Sequence, residues 1–89
     1  MKIKKQPYYI YILECADGTL YTGIAIDVEK RLAQHMAGTA SRYTRARIAK
    51  KIVYTKKCVN KSKALKCEAQ IKRLTRQDKK RLIRRKDLY

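Results

Sequence analysis

The first apolar block, Tyr8–Cys15 (YYIYILEC), is aromatic and β-branched, as strands buried in a core tend to be. Ala16-Asp17-Gly18-Thr19 follows, and its Asp-Gly pair is a strong short-range signal for a hairpin. The chain returns through Leu20–Ile26 (LYTGIAI), with Gly23 inside the strand. A glycine there marks a bulge or a close backbone approach. The pattern therefore opens with an antiparallel hairpin. Behind Asp27, a suitable N-cap with Glu29 in the first turn, Val28, Leu32 and Met36 recur at i, i+4 and i+8. They form the apolar stripe of a helix, and Gly38 suits the position just past its end.

Residues 39–49 (TASRYTRARIA) are polar and basic, with room for a short helical turn. Ile52–Thr55 reads as a third strand, continued by Lys56–Val59. A helix from Asn60 or Ser62 to Leu74 directs Ala64, Leu65, Cys67 and Ile71 to the core. Thr75 with Asp78 makes a capping box that starts a last helix carrying Leu82 and Ile83. The order β-β-α-β-α-α predicts an α+β fold, a three-stranded antiparallel sheet flanked by helices. One domain is expected over residues 1–89, with its core in 8–83.

Charge changes the picture. The 89 residues carry 24 Lys and Arg against seven Asp and Glu, a net +17. Residues 1–27 are neutral, with three Lys and three acids, so the whole excess lies in 28–89. Such an excess self-repels in a compact state and points to a polyanionic partner. The longest apolar run, Tyr8–Leu13, is far too short for a membrane span, and no secretory apolar segment follows Met1–Lys5. Cys15, Cys58 and Cys67 show no CxxC spacing and read as reduced thiols in a cytoplasmic setting, which excludes a disulfide frame or a zinc module.

Among the few acids, Glu68 stands out. It falls at i+4 from Ala64, i+3 from Leu65 and i−3 from Ile71, within the stripe that should face the core. A carboxylate there must be paired, bound to a cation or at the rim of a cleft. A salt bridge to a nearby Lys or Arg is the simplest of these. Arg31 and His35, four apart on the first helix, share one face and suit two neighbouring phosphodiester oxygens, although a solvated flank looks the same. Tyr is the sole aromatic type, with seven copies. Tyr9, Tyr11 and Leu13 share one strand face, and Tyr21 and Gly23 share a face of the partner strand. Hairpin packing accounts for most of these phenols, yet a phenol near cations can also serve as a base.

Together these residues resemble the GIY-YIG endonuclease family in its small stand-alone form, and the nuclease module that opens the excision-repair subunit UvrC. The first signature reads Tyr9-Ile10-Tyr11, with Tyr for the leading Gly, and the second Tyr21-Thr22-Gly23, with Thr for Ile. Arg31 and His35 match the following helix, Glu68 the later one, and Arg42-Tyr43-Thr44-Arg45 a basic-aromatic stretch of the small members. The resemblance runs from about Tyr8 to Ile83.

It implies metal-dependent hydrolysis of phosphodiester bonds in DNA, or else RNA, in repair- or recombination-type processing. Glu68 would hold a divalent cation, Mg²⁺ first and Mn²⁺ second. Arg31 would neutralise phosphoryl charge, and Tyr11 or Tyr21, helped by His35, would take the proton from the attacking water. Gly23 would let the backbone approach the site. Arg42, Tyr43, Arg45, Arg47, Lys72 and Arg73 would hold the nucleic acid. A monomer without membrane association is expected. The alternative is a basic nucleic-acid-binding module that keeps the fold without turnover.

Overall fold

A computed structural model describes residues 6–86; the basic start Met1–Lys5 and residues 87–89 lie outside it. The hairpin forms as the pattern requires, with β1 (Tyr8–Cys15) antiparallel to β2 (Leu20–Ala25). Asp17 accepts hydrogen bonds from the Thr19 amide and hydroxyl, and Gly18 takes the positive φ of 84° that the turn needs. Helix α1 (Val28–Met36) starts on Asp27, whose carboxylate accepts from the Lys30 amide at 3.0 Å. It ends before Gly38 at φ 78°. The basic segment holds a short helix, α2 (Arg42–Arg47), capped by Ser41. Strand β3 (Ala49–Cys58) then pairs antiparallel with β1, giving the sheet order β2-β1-β3. Asn60 and Thr75 cap α3 (Lys61–Lys72) and α4 (Arg76–Lys86).

The central strand β1 is covered on both faces, which is why its sequence is a near-continuous apolar run rather than an alternation. Ile10 and Ile12 pack with Tyr54, Cys58, Ala64 and Ile71 beneath α3 and α4. Tyr11, Leu13 and Cys15 face the other way, with Ala25, Ala49, Val28 and Leu32 beneath α1. Each fully buried Ile or Leu of this strand contributes roughly 1.5–3 kcal/mol. No helix among the described residues is long and apolar enough to cross a membrane.

Three expectations are corrected. Strand β3 begins at Ala49, not Ile52, and stays in register with β1 only by two irregularities, between Ile12 and Leu13 and between Glu14 and Cys15. Met36 is 60% exposed and Leu65 45%. The reason is the same in both helices. At about 100° per residue, a position seven residues on returns to within about 20° of the start, while one or eight residues on is rotated by about 80–100°. His35 therefore continues the line of Val28, and Ile71 that of Ala64, and all but Val28 are fully buried. Met36 and Leu65 turn outward. Helix α3 also stops at Lys72, two residues early.

One buried hydroxyl has no hydrogen-bond partner among the described residues, Thr22 Oγ1 on β2, opposite Ile12. An unsatisfied buried polar group costs about 1–3 kcal/mol. Thr22→Val is expected to stabilise the fold by roughly 1 kcal/mol, raising Tm by about 4–8 °C in thermal unfolding. A lower Tm would mean that the hydroxyl is satisfied in solution.

Candidate functional site

The hairpin register sets Tyr11 opposite Gly23 and Leu13 opposite Tyr21. A Cβ at Gly23 would lie 2.5 Å from Tyr11 Oη and 2.7 Å from its Cζ. The close approach expected at Gly23 is thus made by the Tyr11 ring, which fills the space a side chain would take. Without that glycine the phenol could not lie flat across β2 toward α1.

There Tyr11 meets His35, which is 2% exposed. Tyr11 Oη stands 2.7 Å from His35 Nε2, and His35 Nδ1 stands 2.7 Å from Thr44 Oγ1 on α2, whose side chain is wholly buried. Tyr21 joins them through its ring, 6.3 Å from Tyr11, 5.2 Å from His35 and 5.6 Å from Tyr43 between centroids. Arg47 closes the row, with its guanidinium 4.0 Å over the Tyr43 ring and 3.8 Å from the Asp17 carboxylate. The amide of Ala16 also donates to the Ile48 carbonyl at 2.8 Å, so α2 is tied to the hairpin turn at both the side-chain and backbone level.

Charges converge on the same phenol. Burial pushes the Tyr11 hydroxyl well above the usual phenol range, and the neighbouring Tyr21 and Glu68 push the same way, while the Arg31 cation opposes them. His35 is shifted down, first by burial and then by Arg31, so its imidazole is held neutral near pH 7. Arg31 and Glu68 therefore both lie within electrostatic reach of the Tyr11–His35 pair, although they come from different helices. Arg31 also lines an open cleft of about 620 Å³ with Lys30, Gln34 and Lys61.

Glu68 is 17% exposed and pairs with Lys72 at 3.5 Å. The simple salt bridge expected for it is present, but it does not carry the carboxylate away from the phenols. No group of three or more His, Cys, Asp or Glu among the described residues could form a metal cage. A single carboxylate at the edge of such a cluster suits a cation that completes its oxygen shell with water and phosphate, as Mg²⁺ does.

Tyr11, Tyr21 and His35 are thus in contact, with Arg31 and Glu68 in reach of them. The residues expected on nucleic acid are more scattered. Arg42 and Arg45 are exposed on α2, the stem of Arg45 covering Gly38, and Arg73 is exposed at the end of α3. Arg47 and Lys72 are engaged by Asp17 and Glu68. Thr44 was not among the candidates. Its one signal is to be the sole uncharged, non-aromatic residue of Arg42-Tyr43-Thr44-Arg45.

The model of the GIY-YIG catalytic domain matches residues 7–81. The chain is 48% identical over 75 residues to the UPF0213 protein SAG0778 of Streptococcus agalactiae, covering 84% of this chain and 85% of that one. It is 46% identical over 76 residues to a UPF0213 protein of Natronomonas pharaonis, covering 85% and 89%. The solution NMR structure of the UPF0213 protein BH0048 from Bacillus halodurans superposes with a TM-score of 0.56 at 39% identity, covering 86% of this chain and 82% of that one. With the signature tyrosines, arginine, histidine and glutamate gathered as described, the chain belongs to the GIY-YIG family, whose catalytic domain is a nuclease fold.

Proposed function

We propose that the protein is an endonuclease that hydrolyses phosphodiester bonds of DNA, with RNA as the second candidate, and that Tyr11 and His35 act on the attacking water as a pair. The 2.7 Å contact between Tyr11 Oη and His35 Nε2 carries this reading. A buried phenol whose pKa is raised does not rest as phenolate, so it serves as a base only if its own proton leaves as the water's proton arrives. His35, neutral and in contact, receives it. Tyr21 touches the cluster by its ring and is the less suited of the two. Arg31 offers its planar donors to the non-bridging phosphoryl oxygens as their charge grows. Glu68 would hold the divalent cation, Mg²⁺ first and Mn²⁺ second, on which nucleases of this family generally depend. Bound there, the cation supplies Lewis-acid neutralisation of the phosphate and of the departing 3′ oxygen.

Seven basic residues in 42–57 and nine in 72–86 would track the backbone on either side. Binding is then expected to fall by about 10³–10⁵ between 50 and 200 mM salt if six or more phosphates are contacted. Flat salt dependence in a filter-binding titration would assign the basic surface another partner. We place the protein in the cytoplasm, as a monomer, in repair- or recombination-type processing.

The second reading, a binding module without turnover, is favoured by one observation: Glu68 already has a cationic partner in Lys72. Incubating the protein with supercoiled plasmid, branched DNA and RNA, in Mg²⁺, Mn²⁺ or EDTA, separates the two. Metal-dependent nicks support the nuclease. Binding with no product from any substrate in either metal supports the module.

A further inference from the structure

We propose that Thr44 is a positioning residue, whose hydroxyl holds the His35 proton on Nδ1 and so leaves Nε2 bare to receive a proton from Tyr11. The contacts admit two arrangements of protons. In the first, Tyr11 O–H donates to Nε2, Nδ1–H donates to Thr44 Oγ1, and the Thr44 hydroxyl donates to the Ser41 carbonyl, 3.3 Å away. Every proton in the row has an acceptor. In the second, Thr44 donates to Nδ1 and Nε2–H donates to Tyr11 Oη. The buried Tyr11 proton then has no acceptor among the described residues, and the Ser41 carbonyl keeps only the Arg45 amide, 3.0 Å away. The first arrangement makes three hydrogen bonds and the second two.

The choice matters because buried donors are rarely left unpaired, and the second ring nitrogen of a histidine sets what the first can do. A doubly protonated ring is disfavoured by burial and by the Arg31 cation, which leaves the two neutral tautomers as the alternatives. Thr44 is also placed firmly enough to decide between them. Ser41 caps α2, accepting from the Tyr43 amide at 3.1 Å. The far end of α2 is anchored to the hairpin turn by the Arg47–Asp17 ion pair at 3.8 Å and by the backbone bond from Ala16 to Ile48. The β-hydroxyl is therefore presented to Nδ1 from a short helix capped at its start and tied to the hairpin turn at its end.

The inference rests on the proposed hydrolysis only for its kinetic arm. His35 is the single histidine of the chain, so nitrogen NMR of the ring reads its tautomer without ambiguity and whether or not the protein cleaves anything. The wild type is expected to show a protonated Nδ1 and a bare Nε2. Thr44→Val, which keeps the shape and removes the acceptor, is expected to cancel that preference and raise the fraction protonated on Nε2, and Thr44→Ser to leave the proton on Nδ1. In the kinetic arm, Thr44→Val is expected to slow cleavage about a hundredfold at unchanged DNA affinity, with Thr44→Ser restoring most of it. A wild-type spectrum with the proton on Nε2 overturns the proposal, and that spectrum suffices if the valine variant does not fold. So does a folded valine variant whose tautomer populations match those of the wild type. Absence of cleavage in the wild type, with the expected tautomers, overturns the nuclease reading and leaves the assignment of Thr44 standing.

Discussion

Glu68→Gln is expected to abolish metal-dependent cleavage, by about a thousandfold or more, while leaving nucleic-acid binding at or above the wild-type level. The substitution keeps the size of the side chain and removes the charge that would hold a cation near the phosphate, a contribution of several kcal/mol to the barrier. It also frees Lys72, which now spends its charge on the carboxylate 3.5 Å away. The loss of that ion pair costs little stability, because the lysine side chain is more than half exposed and solvent screens the pair. A plasmid-nicking assay beside a binding titration separates the effects. A glutamine variant that nicks at the wild-type rate would remove Glu68 from the chemistry.

Tyr11→Phe is expected to reduce cleavage by about 10²–10⁴, the usual worth of a positioned proton acceptor, and Tyr21→Phe by about tenfold or less. The two phenols sit side by side, 6.3 Å between ring centroids, but the structure treats them differently. Tyr11 is buried, bonds to His35 and occupies the space above Gly23; Tyr21 is half-buried, between His35 and Tyr43. Removing the Tyr11 hydroxyl also leaves His35 Nε2 buried without its partner, so stability should fall by about 1–3 kcal/mol as well. Single-turnover rates at saturating protein keep the two losses apart. If the order is reversed, with Tyr21→Phe the more damaging, Tyr21 is the base.

The features legible in the sequence are those that local chemistry decides. Asp27, Asn60 and Thr75 each cap a helix because a side-chain oxygen beside free amides needs no distant partner. The Asp17-Gly18 turn and the apolar run of β1 are local in the same sense, and they fix the hairpin that carries Tyr11, Tyr21 and Gly23. Arg31 and His35 were legible as a pair on one helix, yet a stripe drawn through Val28, Leu32 and Met36 set His35 beside the core rather than in it. The seven-residue return from Val28 to His35 was the signal, and a polar residue on that line concealed it. Thr44 and the start of β3 were beyond reach for a different reason. Both depend on where α2 docks, through Arg47 with Asp17 and Ile48 with Ala16, and such contacts across some thirty positions leave no local pattern.

A family signature says which residue types recur but not which of them touch. Here the contacts divide the signature into a tightly bonded centre, Tyr11 with His35, and two charged groups, Arg31 and Glu68, that act on it through space. That division predicts coupling within the centre. Tyr11→Phe and His35→Gln should each cripple cleavage, and the double variant should be about as slow as the worse single one, because a proton path broken once loses nothing more when broken again. The most direct test is this double-mutant cycle, read as single-turnover cleavage of a labelled DNA at equal occupancy in Mg²⁺. Non-additive losses are the predicted result. Losses that multiply, or a phenylalanine variant that cleaves as fast as the wild type, would contradict the pairing of Tyr11 with His35 on the attacking water.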